Sequence, residues 1–204
     1  MDTLTDAERK IFKALNTPKK IQDFLNTLGK RTDSKEPIVR SPRIVLRDKT
    51  ANCMEGALLA AAIFKYHGRD ALILDLKVSP RALDFDHVVA LFKENGHYGA
   101  VSKTSHAVLR YREPIYKNMR ELALTYFHEY FTNDGKKNLR KYSAPFNLVK
   151  KFGTDWIVAD HDLYRMAAAL DDSPHTDLIT KEMERGLRRA DTIEIAAGEL
   201  VEED

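Results

Sequence analysis

The chain is poor in cysteine and in long apolar runs. Cys53 is the single cysteine among 204 residues, so neither an intrachain disulfide nor a zinc site built from two or more cysteines is possible within one chain. The longest unbroken apolar run covers residues 57–64, far fewer than the roughly 20 that span a bilayer. The first six residues lack the basic and apolar regions of a signal peptide. We therefore expect a protein of the reducing cytoplasm with no membrane partner.

Glycine, proline and an excess of charge of one sign are also scarce. The 9 glycines and 7 prolines are too few for a collagenous or low-complexity chain. The 33 basic residues nearly balance the 31 acidic ones, which gives a net charge of +2 and no basic field that would favour nucleic acid. The hydrophobic fraction of 43% is enough for one globular core. We expect a single domain over residues 1–204.

The periodicity of the apolar residues predicts an α+β fold. It predicts helices in the N-terminal segment, a loop over residues 30–42, and a short strand or extended lead-in at Ile44-Val45-Leu46. A helix over residues 52–68 is followed by strands over 71–78, 86–93 and 98–102, with a hairpin turn at Asn95-Gly96. Helices are again predicted over residues 116–131 and 163–170. The last residues are acidic and are expected to fray.

The helix over residues 52–68 has the clearest signals. Asn52 is a favourable N-cap, and Glu55 three residues later completes a capping box. The following residues are apolar almost all round, which predicts a buried helix. Cys53 would occupy its first position, where unpaired N–H groups and the helix dipole favour the reactive thiolate, although the nearby Glu55 opposes this shift.

His87 is the candidate partner of Cys53. It begins a strand that follows the helix, and a histidine at the end of a sheet packed on that helix could reach the sulfur. It would pair with the thiolate or take the thiol proton, and would later protonate the leaving group. Such an imidazole needs a third group to orient it. The strand after the hairpin returns beside His87 and ends near Ser102, which is therefore the candidate third member.

These residues resemble a known family. The segment 51–57 opening a helix, the tripeptide Asp86-His87-Val88 and the hairpin after it are similar to the core of the transglutaminase-like superfamily, and the flanks look like a bacterial branch of it. The resemblance covers residues 43–104. It implies a papain-like α+β core, in which a buried helix packs on a small antiparallel sheet and Cys, His and Asp act in that chain order. Helical flanks would then cover residues 1–42 and 105–190, before an acidic tail over residues 191–204.

The third position departs from the family pattern, because Ser102 stands close to where an Asp is usual. A serine can accept a hydrogen bond from the imidazole but cannot neutralise an imidazolium. Asp84 and Asp86 flank His87 and could substitute, although the side chain of Asp86 would point to the opposite face of the strand.

An oxyanion hole needs hydrogen-bond donors near the thiol. The backbone N–H of Cys53 at the helix start is one such donor. The side chains of Asn52 and Gln22 are both candidates for a second, and the sequence does not choose between them.

Two functions from different classes follow. The first is a thiol-dependent acyl transferase or hydrolase that acts on an amide bond of a peptide or protein, as a peptidase or amidase with water and as a transglutaminase with an amine. The second is a catalytically inactive binding or scaffolding module, for which Ser102 is the main reason. Neither needs a metal or another cofactor, and we expect none. The basic cluster of Lys136, Lys137, Arg140 and Lys141 is interpreted as a solvated face.

Overall fold

The computed structural model describes residues 3–31, 38–82 and 84–201. Part of the loop expected over residues 30–42 and the last three residues of the acidic tail lie outside these ranges. The helices are α1 (Asp6–Ala14), α2 (Pro18–Asn26), α3 (Pro42–Asp48), α4 (Cys53–Tyr66), α5 (Met119–Phe127), α6 (Leu148–Phe152), α7 (Tyr164–Asp171), α8 (Lys181–Arg185) and α9 (Thr192–Gly198), with a 3₁₀ turn at Asp155–Ile157. The strands are β1 (Gly29–Lys30), β2 (Thr50–Ala51), β3 (Leu72–Val78), β4 (His87–Glu94), β5 (His97–Val101), β6 (Arg112–Tyr116), β7 (Leu139–Ser143), β8 (Phe146–Asn147) and β9 (His175–Asp177).

The fold is α+β and is built around a seven-stranded antiparallel sheet. Its strand order is β6-β5-β4-β3-β7-β9. The seventh strand, β8, pairs with the first residues of β3, whereas β7 pairs with its last residues. The strands β4 and β5 form a hairpin in which Glu94 pairs with His97. Asn95 and Gly96 make its turn with φ values of 48° and 82°, the positive angles that a two-residue turn needs. The hairpin predicted from the sequence is therefore present.

The sheet separates two hydrophobic cores. Successive strand residues point to opposite faces, so Val88, Ala90 and Phe92 of β4 pack with α4 on one face. Val89 and Leu91 pack on the other face, against α5. This alternation determines which of the two cores each side chain of β4 packs into.

The helix α4 is buried as the sequence predicts. Asn52 caps it by accepting a hydrogen bond from the Glu55 N–H at 2.9 Å, and the Glu55 carboxylate accepts one in return from the Asn52 N–H at 3.1 Å. Residues 54–64 are buried without interruption. Cys53 is thus fixed at the first position of a helix that cannot move independently of the core.

Three sequence expectations differ from the structure. Ile44-Val45-Leu46 lies inside α3, because Ser41 caps this helix and Pro42 occupies its first position. The flank over residues 105–190, expected to be helical, also supplies β6, β7, β8 and β9, which widen the small sheet on both edges. Within the tail, Thr192–Gly198 form α9, for which the sequence analysis predicted no helix, because Asp191 caps it with a capping box.

No helix in the described part of the chain combines the length and the apolar character needed to cross a membrane.

Candidate functional site

Cys53, Asn52 and His87 line one cavity of about 1330 Å³, where α4 and β4 begin. The far wall comes from the segment between α5 and β7, and the C-terminal helix α9 contributes its last turn. The cavity therefore joins the two candidate catalytic residues to parts of the chain that lie far away in sequence.

The Cys53 thiol lies against the backbone on either side of His87. Its Sγ is 3.9 Å from the Asp86 carbonyl oxygen, to which the thiol donates. Burial raises the pKa of the Cys53 thiol, and the charge of Asp75 raises it further, whereas backbone hydrogen bonds from Val88 and Met54 lower it. The net direction is upward, so the resting sulfur is a neutral thiol and the effect of burial exceeds that of the helix start.

His87 is turned towards the opposite face of the sheet from α4. It shares the parity of Val89 and Leu91, and its ring centroid lies 6.5 Å from that of Tyr126 in the second core. Among the described residues, its ring forms no hydrogen bond with Cys53, because the pleat of β4 turns the imidazole away from α4.

Ser102 holds the imidazole of His87. Its Oγ lies 2.7 Å from His87 Nε2, and the serine is fully buried. Burial lowers the pKa of His87 to about 4, against a smaller upward effect of a backbone hydrogen bond with Leu109. His87 is thus a neutral imidazole at physiological pH. A neutral imidazole needs no counter-charge, so a serine can take the place of a carboxylate beside it.

Gln22 positions Ser102. Its Oε1 accepts from the Ser102 N–H at 2.9 Å, and its Nε2 donates to the Ser102 carbonyl at 2.8 Å and to Asn26 Oδ1 at 2.8 Å. Both amide hydrogens are therefore used, and Gln22 does not line the cavity. This geometry corrects the expectation that Gln22 could serve an oxyanion: it is a positioning residue for the Ser102–His87 pair.

Asn52 remains the side-chain candidate for an oxyanion donor. Its Oδ1 accepts a hydrogen bond from the Glu55 N–H, and no residue in the described part of the chain engages its Nδ2. The backbone N–H groups of Cys53 and Met54 lie in the first turn of α4 and cannot bond within the helix. Together with Asn52 Nδ2, they are the candidate oxyanion donors next to the thiol in sequence.

The two aspartates that flank His87 are engaged elsewhere. Asp84 accepts from Asn138 Nδ2 at 2.7 Å, and Asp86 accepts from the Val78 N–H at 2.7 Å. Neither contacts the imidazole in the described part of the chain. Ser102 is consequently the side chain that orients it.

A buried ion cluster anchors the start of α4. Glu55 is 0% exposed, forms an ion pair with Arg31, and receives hydrogen bonds from Arg40 Nε and Nη2 at 3.0 Å each. Cys53 is thus carried on a helix end that electrostatics, as well as packing, holds in place. The capping signal of Glu55 is local in the sequence, whereas its arginine partners lie 24 and 15 residues away and could not be identified from spacing.

Asp75 and His175, whose side chains meet near the thiol, have no signal in the sequence. Asp75 Oδ2 lies 3.0 Å from His175 Nε2, while its Oδ1 is buried and has no hydrogen-bond partner among the described residues. Burial and the charge of Asp86 raise the pKa of Asp75 to about 6. No local signal marks these residues, because β3 and β9 are far apart in sequence and are brought close only by the sheet, in which β7 lies between them.

The same region contains the group of carboxylates that could hold a cation. Oxygen atoms of Asp75, Asp86 and Asp171 lie within 4.8 Å of one another. However, the Lys77 ammonium lies 2.5 Å from Asp171 Oδ1, so these carboxylates already have a cation of the protein beside them.

No protein-family model matches the chain, and no curated protein matches it. The function therefore has to be inferred from the geometry of the cavity.

Proposed function

We propose that the cavity is the active site of a thiol-dependent acyl transferase or hydrolase that acts on an amide bond. The supporting observation is that Cys53 and His87 line one cavity, with Cys53 at the start of a buried, capped helix. The order of these residues and the hairpin after them is also what resembles the transglutaminase-like superfamily. The resting state we propose is a neutral thiol beside a neutral imidazole, since the pKa of Cys53 is raised and that of His87 is lowered.

The proposed reaction begins when an amide carbonyl occupies the space between the two side chains. Cys53 Sγ attacks the carbonyl carbon while its proton passes to His87, which acts as a general base. The oxyanion is held by the Cys53 N–H and the Asn52 amide. His87 then donates the proton to the leaving amine as the C–N bond breaks, which leaves a thioester on Cys53.

Water or an amine completes the cycle. His87 takes a proton from the second nucleophile, which attacks the thioester and restores the thiol. Water gives a carboxylic acid, and an amine gives a new amide. Because His87 and Cys53 are not hydrogen-bonded at rest and their backbones are fixed by the core, the imidazole has to rotate towards the thiol when the substrate is bound, as in other enzymes whose catalytic hydrogen bonds tighten only on binding.

Acylation by 4-nitrophenyl acetate tests this proposal. The wild type is expected to release a burst of nitrophenolate equal to the amount of enzyme, with one acetyl group on Cys53 by mass spectrometry. Cys53→Ala abolishes the burst, and His87→Ala slows it by about 10²-fold or more, the usual contribution of a general base. His128→Ala is the matched control, since His128 is exposed and does not line the cavity.

A second candidate is a binding module that keeps the architecture without the chemistry. It is favoured by the hydrogen bond of His87 to Ser102, together with the contact of the thiol with the Asp86 carbonyl. The module predicts no burst, or an acylation rate that His87→Ala does not change. The same experiment therefore separates the two functions.

A further inference from the structure

The backbone of Leu109 has an unusual conformation. Among the described residues other than glycine, φ is positive at Lys49, Asn95 and Leu109. Lys49 ends α3 and Asn95 lies in the hairpin turn, and both are places where the left-handed conformation is common. Leu109 belongs to neither kind of place, yet its φ is 63°. A bulky residue stays in this conformation only where the surrounding structure enforces it, and such strain is typical of functional sites.

Glu129 holds Leu109 in place. Its Oε2 accepts a hydrogen bond from the Leu109 N–H at 3.1 Å, and both residues line the cavity. Glu129 also forms an ion pair with Arg112. Arg112 is itself fixed to α5, because its Nε donates to Thr125 Oγ1 at 2.9 Å and its guanidinium lies 4.2 Å from the ring centre of Tyr126. The carboxylate that constrains Leu109 is therefore anchored to a helix of the second core.

The strained backbone of Leu109 meets the imidazole of His87. Burial lowers the pKa of His87 overall, but a hydrogen bond with the backbone of Leu109 raises it. A bond that raises this pKa favours the protonated imidazole, so the ring N–H donates and the Leu109 carbonyl accepts. A carbonyl has no hydrogen to donate, so the ring nitrogen that faces it carries one even in neutral His87. Nε2 lies 2.7 Å from Ser102 Oγ, which leaves Nδ1 for Leu109.

We propose that Glu129 is a positioning residue that acts through Leu109 and fixes His87 in the tautomer with its hydrogen on Nδ1. Nδ1 donates to the Leu109 carbonyl, and the Ser102 hydroxyl donates to Nε2. The basic nitrogen is then Nε2, and it takes the thiol proton once the imidazole has rotated towards Cys53. That last step rests on the proposed function, whereas the tautomer does not.

¹⁵N NMR of the full-length protein, labelled on its histidines, tests the tautomer without using catalysis. At neutral pH the wild type is expected to show a protonated Nδ1 and an unprotonated Nε2 for His87, whose signals are identified by their loss in His87→Gln. Glu129→Met cannot accept from the Leu109 N–H, so its two His87 nitrogens should move towards the averaged shifts of an imidazole that exchanges between tautomers. Glu129→Gln keeps an acceptor oxygen and should keep the tautomer.

Glu113→Met is the matched control, because Glu113 is exposed and does not line the cavity, and it should leave the tautomer unchanged. A loss of stability alone does not alter the tautomer of the molecules that remain folded. A wild-type His87 with its hydrogen on Nε2 overturns the proposal, and this measurement needs no variant to fold. A Glu129→Met tautomer equal to that of the wild type overturns it as well.

Acylation by 4-nitrophenyl acetate relates the tautomer to the chemistry. Glu129→Met should slow the nitrophenolate burst by about fivefold, the effect of one hydrogen bond, and Glu129→Gln should restore it. If Glu129→Met removes the Nδ1–H tautomer but the wild type gives no burst, the positioning role is supported and only its part in acyl transfer is overturned.

Discussion

Replacement of Glu55 by alanine should destabilise the protein strongly. Glu55 is fully buried and holds two arginine side chains that are themselves 5% and 14% exposed. Removing one member of a buried ion cluster leaves the others uncompensated, which costs about 3–5 kcal/mol. Against a total stability of about 5–15 kcal/mol for a domain, this is a large fraction, and it falls on the helix end that carries Cys53.

Equilibrium unfolding in urea measures this loss. We expect Glu55→Ala to lower the free energy of unfolding by about 4 kcal/mol, and a double-mutant cycle with Arg40→Ala to give a coupling of about 2 kcal/mol or more. Glu94→Ala is the matched control, because it breaks the half-exposed pair with Arg69 at 3.0 Å and should cost less than about 1 kcal/mol. A loss for Glu55→Ala as small as that of the control would refute the role given to this cluster.

The other predictions concern packing and pH, and urea unfolding checks each. Gly56→Ala would place a methyl group where it overlaps Cβ of Lys103, and it should lower the free energy of unfolding by about 1–3 kcal/mol. An unchanged midpoint of urea unfolding contradicts this. The folded pKa of His87 is depressed from 6.5 to about 4. Its contribution to folding stability is therefore present above pH 6.5 and is lost as the pH falls towards 4. Over that range the free energy of unfolding of the wild type should fall by about 3 kcal/mol relative to that of His87→Gln. The folded pKa of Asp75 is raised from 3.8 to about 6, so its contribution to folding stability is lost as the pH rises through that range. Over the same range the free energy of unfolding of Asp75→Asn should rise by about 3 kcal/mol relative to that of the wild type. Parallel pH profiles of either variant and the wild type would contradict the corresponding pKa.

The sequence predicted those parts of the fold that local residues determine. Asn52 and Glu55 specify the start of α4, and Asn95-Gly96 specifies the turn that places β5 beside β4. The hairpin register then accounts for the contact of Ser102 with His87 at 2.7 Å. The α+β class follows from the same elements.

The parts that the sequence did not predict depend on long-range pairing or on competing local signals. The run Ile44-Val45-Leu46 has the composition of a strand, but the cap at Ser41 and Pro42 makes it a helix. Strands β7 and β9 join the sheet across many residues, so neither they nor the Asp75–His175 contact has a local signal.

The candidate site shows the same limit. The order of Cys53 and His87 indicates that they share a site, and both do line one cavity. Their relative orientation depends on the pleat of β4, which a motif does not encode. The sequence therefore favours a preformed pair, whereas the geometry supports two neutral groups that a substrate would bring together.

The dependence of Cys53 acylation on pH tests that account most directly. With 4-nitrophenyl acetate, a neutral thiol served by a neutral imidazole predicts a rate that rises as His87 loses its proton near pH 4 and then stays level until the thiol itself ionises. His87→Ala should lose this plateau and follow the thiolate fraction alone. A wild-type rate that rises tenfold per pH unit through neutrality and coincides with that of His87→Ala would contradict the account.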